Sequence, residues 1–188
     1  MTLGRMLLVI PVLCCGSLVM GCSGGTPSSQ RSIPASAYGM KSPAAYSEWD
    51  VKFIKGAYLS HSEVTEVLRK TPERTDNPKI RELATGILTV RNGELQMLTT
   101  WLKSWDMPAP KPSPTSRAVK ELNRLSDTAY DSELLEFLVK NQQALLRLAT
   151  QEQEAGKFTP ARRLAEQTVK SSTGVISNMR IMSDNLKQ

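Results

Sequence analysis

Two pairs of a helix-capping residue followed by proline, Asn77-Pro78 and Thr159-Pro160, constrain the fold of this chain more than any other feature. Each sets a side-chain acceptor before a residue whose φ is already helical, an arrangement that opens helices. Ser47 ahead of Glu48 and Asp50 gives a third start, since carboxylates in a first turn oppose the positive end of the helix dipole. These limits predict helices from Ser47 to about Lys70 and from Asn77 to about Trp105. A short third helix is expected over Ser116–Leu125 and a fourth from Asp131 to near Gly156. Thr159 is expected to cap the last, which runs almost to the C-terminus. The alternate prolines of Met107–Pro114 remove backbone donors and favour an extended connector. No stretch combines sustained alternation with β-branched enrichment, so no sheet is expected. The expectation is an all-α four-helix bundle made of two repeated helical hairpins over 46–188. Hairpin one covers 47–105, the connector 106–115, the short helix 116–125 and hairpin two 131–187.

Ahead of this unit, Arg5, the apolar run Met6–Leu13 and Val19-Met20-Gly21 before Cys22-Ser23-Gly24-Gly25 spell a bacterial lipoprotein signal. A small residue before cysteine suits the lipoprotein peptidase, and a cysteine thiolate is what the lipid transferase alkylates. A spanning anchor fits less well, because Met6–Met20 is shorter than the roughly 20 residues that cross a bilayer and contains Pro11 and Gly16. Residues 1–21 are therefore expected to be cleaved, leaving Cys22 lipidated. Residues 22–45 carry Pro27, Pro34 and Pro43 among Gly, Ser and Ala, the composition of a flexible tether. Cys14 and Cys15 would leave with the signal, so disulfides, thiolate catalysis and cysteine metal sites are not expected in the mature domain. The expected location is extracytoplasmic, lipid-anchored to the bacterial cell membrane, where two or more acyl chains hold a protein stably. The expected partners are that membrane and an envelope protein. The net charge of +6 comes without a basic run interleaved with aromatics, so nucleic acid is not an expected partner.

Placing Asp50 on Asp131 also carries Phe53 to Leu134, Leu83 to Leu164, Ala84 to Ala165 and Leu95 to Ile176 without a gap, the mark of one hairpin used twice. The first copy reads Asp50-Val51-Lys52-Phe53-Ile54, Leu83-Ala84, Glu94-Leu95 and Trp101-Leu102-Lys103-Ser104-Trp105. The second reads Asp131, Leu134-Leu135, Leu164-Ala165 and Ile176 through Met179. Together these residues resemble the domain-of-unknown-function 305 family, ferritin-like bundles that include a periplasmic copper-binding protein. The resemblance implies a repeated His-His pair and a repeated Gln-x-x-Glu. Here those positions are Ser60-His61 and Asn141-Gln142, then Arg91 with Glu94 and Ser172 with Val175. Paired imidazoles suit copper or zinc, whereas Ser, Asn and Gln are poor ligands for either. Of the metal ligands that the resemblance implies, His61 and Glu94 remain.

Steps of four and three from Asp50 reach Ile54, Ala57, His61, Val64 and Leu68. The same stepping from Ile80 reaches Ala84, Ile87, Arg91, Glu94 and Leu98. A buried polar cluster of His61, Arg91 and Glu94 is therefore expected, with Gln142 at the matching point of the other copy. In it the Arg91 guanidinium would take the volume and charge of a metal ion. The competing readings are a hydrogen-bonded structural histidine and, if the second helix is rotated, a solvated Arg91–Glu94 surface pair. Met97, Met107, Met179 and Met182 are soft donors that copper could use, but Met179 and Met182, three apart in a core stripe, read as packing, and Trp101 with Trp105 as the closure of the first hairpin. No enzyme is expected: nucleophile–base pairs and phosphate loops are lacking, and Glu94 and Glu63 are followed three residues on by Met97 and Glu66 rather than the histidine of di-iron bundles. The expected function is a non-catalytic envelope binding or interaction module without cofactor. The alternative is a copper-handling protein with a reduced site at His61.

Overall fold

The computed structural model describes residues 45–112 and 116–187, all of whose regular structure is helical. The expected signal peptide, Cys22 and the tether as far as residue 44 lie outside the described residues, as do 113–115 of the connector. Helix α1 spans Glu48–Lys70 and leads through a short 3-10 turn, Thr71–Glu73, to α2, Pro78–Ser104. A one-and-a-half-turn helix α3, Arg117–Leu122, precedes α4, Asp127–Ala155, and α5, Thr159–Asn185. No described helix is long and apolar enough to cross a membrane.

The helix starts follow from local chemistry. Ser47 and Asp50 form a reciprocal capping box at α1. The Asn77 side chain accepts from the Lys79 N–H and Pro78 occupies the first turn of α2. Three boundaries differ from expectation. Helix α3 is shorter than 116–125 because Asn123 and Arg124 close it in turns. Helix α4 begins at Asp127, one turn before Asp131, with Asp127 in the left-handed region at φ 51 and its N–H donated to the Arg74 carbonyl. That extra turn buries Tyr130, whose hydroxyl meets Thr71 Oγ1 at 2.8 Å. Thr159 lies inside α5 rather than capping it, and the N-cap position is Phe158, whose side chain makes no cap. The acceptor comes from another helix: the Asp50 carboxylate takes the Lys157 N–H at 3.0 Å and the Phe158 N–H at 2.8 Å.

Helices α1 and α2 form one hairpin and α4 and α5 the other, joined mainly through α1 against α4. The hydroxyl of Ser60 donates to Asn141 Oδ1 at 2.9 Å. These two are repeat equivalents, and equivalent residues meet only beside the axis that relates the copies. The core falls into two clusters along the bundle. One is centred on Leu68, Ile80, Leu122, Leu134 and Leu135, the other on Phe53, Ile54, Leu98, Leu102 and Leu145. At the end carrying the second cluster, Trp101 and Trp105 close on Phe158 of the opposite hairpin, with edge-on ring separations of 5.4 and 5.0 Å. Tyr46 stacks on Trp105 from outside at 4.2 Å.

Candidate functional site

Around the bundle, α2 and α5 are neighbours that do not close on each other, and a cleft of about 340 Å³ separates them. Its rims are repeat equivalents with different chemistry. Helix α2 presents Gly86, Ile87 and Val90 where α5 presents Gln167, Thr168 and Ser171. Below them lie Val64 of α1 and Leu138 of α4, so the interior is mainly apolar. Gln142, with Arg91 and Glu94, brings polar chemistry to it.

His61, on the buried face of α1, is 1% exposed. Its Nε2 lies 3.0 Å from Glu94 Oε2, and the same oxygen accepts from Arg91 Nη1 at 2.6 Å. Arg91 Nη2 donates to Gln142 Oε1 of α4 at 2.8 Å. The Gln142 amide nitrogen then donates to Ser172 Oγ at 3.0 Å, and Ser172 donates to the Thr168 carbonyl at 2.6 Å. The structure thus brings His61, Arg91, Glu94 and Gln142 together in one chain of bonds reaching four helices. Arg91 and Glu94 turn inward, with side chains 14% and 18% exposed, so they are not a solvated surface pair. Ser172, the repeat equivalent of Arg91, ends this chain. The offset that relates the copies already pointed to it.

Burial holds the His61 pKa below its ordinary value of 6.5, with the Arg91 charge adding to this against the hydrogen bond to Glu94, so the imidazole is neutral. Burial alone would raise the Glu94 pKa, but the hydrogen bond from His61 and the Arg91 charge outweigh it and hold the carboxylate ionised. With Nε2–H directed at Glu94, Nδ1 is left as a buried acceptor without a partner. The cluster is internally neutral, one guanidinium against one carboxylate.

The residues do not fit a metal ion. Two donors, His61 Nε2 and Glu94, already face each other, and a cation between them would meet the Arg91 charge. Among the described residues no three His, Cys, Asp or Glu side chains converge. The methionines are dispersed: Met179 is in the core at the cleft with Met182 against the same cluster, whereas Met97 and Met107 pack near the aromatic end.

A second polar site lies at that end. Asp50 is fully buried, and burial acting alone would raise its pKa, but hydrogen bonds from Ser47 and the Lys157 N–H bring it to about 2. Glu152 beside it, 1% exposed, is pushed up to about 8 by burial, then by the hydrogen bond and charge of Asp50. Neither Glu152 oxygen has a partner as a carboxylate; protonated, the group donates to Asp50. A Cβ at position 156 would run into the Glu152 carboxyl and its carbonyl oxygen, so the close approach there requires Gly156. Buried and engaged in holding α5, this pair offers no open surface for chemistry.

Residues 50–183 match the family model described as domain of unknown function (DUF305). The fold is similar to that of a putative secreted DUF305 protein from Streptomyces coelicolor, with 21% identity over 74% of this chain and 92% of that one and a TM-score of 0.69. A DUF305 fragment from Deinococcus radiodurans is similar at 19% identity, covering 77% and 99%, with a TM-score of 0.67. CopM in its Cu(II)-bound form is similar at 17% identity, covering 72% and 96%, with a TM-score of 0.63. At these identities the likeness is one of fold. No curated protein matches the chain.

Proposed function

The chain belongs to the DUF305 family, and from that premise we propose that it is a non-catalytic binding module of the bacterial envelope, lipid-anchored through Cys22 outside the cytoplasm, whose ligand site is the α2–α5 cleft. One observation carries this reading: Arg91 of α2 reaches Gln142 of α4 in the lining of the cleft and supplies the positive charge of the cluster from the protein itself. An apolar cleft with a few convergent polar groups is the usual form of a small-molecule site. The lipid anchor rests on Gly21-Cys22 and the apolar run before it. The absence of catalysis rests on the site's chemistry: a neutral imidazole bound to a carboxylate that an arginine neutralises has no nucleophile to activate.

The second reading is copper handling at a reduced site of His61 and Glu94. It is favoured by the fold likeness to CopM, solved in Cu(II)- and Cu(I)-bound forms, and by a neutral His61 whose Nε2 lies 3.0 Å from the Glu94 carboxylate. Calorimetry of the full chain with copper and zinc separates the two. The binding-module reading expects no saturable heat at micromolar metal. Micromolar or tighter binding that His61→Ala abolishes would establish the copper reading instead.

A further inference from the structure

We propose that the α2–α5 cleft takes a single-chain amphiphile with an uncharged, hydrogen-bonding head, of the monoacylglycerol type. The inference rests on the cleft being the ligand site and adds what it selects.

Size comes first. Ligand pockets run from roughly 300 to 1,000 Å³, and a cleft of about 340 Å³ stands at the lower end, enough for one chain and not two. Its apolar part is continuous from the mouth, where Val90 is 57% exposed, past Ile87 to Val64, Leu138 and Met179 inside. An exposed valine leading into an aliphatic lining offers a path for a hydrocarbon body. The gap is also kept open at the backbone: a Cβ added to Gly86 on the α2 rim would meet nothing within 4 Å.

Charge decides the head. Arg91 and Glu94 are the charged residues of the lining, and at 2.6 Å they satisfy each other. His61 behind Glu94 is neutral. A ligand carrying a carboxylate, phosphate or ammonium could find a counter-charge in this lining only by breaking the Arg91–Glu94 pair. An uncharged head has suitable partners. Asn141 accepts from Ser60 through Oδ1 and keeps its amide N–H groups as donors, while Ser171 donates to the Thr168 carbonyl and keeps its oxygen as an acceptor. Gln167 adds a further amide on the same rim. Hydroxyl and ester groups match this mixed set, and the α2 rim opposite is aliphatic.

The test is photolabelling of the full chain in phosphatidylcholine vesicles with a diazirine-bearing monoacylglycerol of about 12 carbons, a length suited to the lower end of the ligand-pocket range. The same chain ending in a carboxylate is run in parallel, and labelled peptides are mapped by mass spectrometry. The glycerol probe is expected to label α2 and α5 peptides facing the cleft. Gly86→Leu, which fills the gap, should cut this labelling about tenfold, equivalent to ~1.4 kcal/mol. Gly93→Leu, on the same helix in open space but outside the lining, should leave it unchanged. Circular dichroism checks that both variants keep the bundle. Equal labelling of the cleft by the carboxylate probe overturns the uncharged head while leaving the cleft as a ligand site. Labelling that Gly86→Leu does not reduce, or none by either probe, overturns the amphiphile itself. The metal titration above separately decides the binding-module reading.

Discussion

Two carboxyl groups meet where α4 ends and α5 begins, and their surroundings decide which keeps its proton. Asp50 collects hydrogen bonds from Ser47, Lys157 and Phe158 and ionises down to about 2. Glu152, buried beside Asp50, holds its proton to about 8 although the Arg162 charge acts against this. Because the folded pKa of Glu152 is raised above its ordinary 4.5, its contribution to stability is full below pH 4.5 and is lost as pH rises through about 8. The wild-type urea midpoint should therefore fall from pH 7 to 9, above the 6.5 at which the lowered pKa of His61 has ceased to act in the opposite direction. Glu152→Gln keeps a donor toward Asp50 without the titration and should flatten that fall; an unchanged pH profile in the variant would contradict the pairing. Nothing in the sequence distinguishes Glu152 from Glu154, since only the return of the chain brings Asp50 beside one of them. His61, Arg91 and Glu94 were legible because helical stepping put three polar residues in apolar seams. The reach of Arg91 to Gln142 was not, because it depends on the distance between helices.

Helix limits were largely legible because caps are local chemistry; apart from the early end of α3, which local turns close, the exceptions are the ends that tertiary contacts set. The start of α5 is held by Asp50 from α1, about a hundred residues earlier, not by Thr159. The start of α4 precedes Asp131 because Asp127 takes a left-handed conformation, which aspartate tolerates, and bonds to Arg74. Asp50→Asn keeps the shape but weakens an ionised acceptor at a helix start, where a cap is typically worth about 0.5–2 kcal/mol. Amide exchange at Lys157 and Phe158 should accelerate in that variant, and the whole domain should lose stability in the same range, because a charge-assisted bond becomes a neutral one. Unchanged exchange at those two amides would show that α5 is held by other means.

For the whole molecule, one hairpin pattern used twice yields a bundle whose repeat equivalents Ser60 and Asn141 touch near its axis. The all-α, two-hairpin architecture was readable from periodicity, caps and the repeat offset. The parting of α2 from α5 was not, because it depends on the summed bulk of side chains such as Gly86, Ile87, Thr168 and Ser171 rather than on any local signal. The copies have diverged at their shared polar positions, His61 against Gln142 and Arg91 against Ser172, and the result is a single self-neutralising network. Its histidine is the chain's only one, so its imidazole Hε1 gives a single proton NMR signal. The central claim, that Arg91 supplies internally the charge a bound cation would bring, predicts that this signal titrates below 6.5 and does not move on addition of equimolar zinc. A stoichiometric shift of the His61 resonance with zinc, saturating at one equivalent, would contradict it.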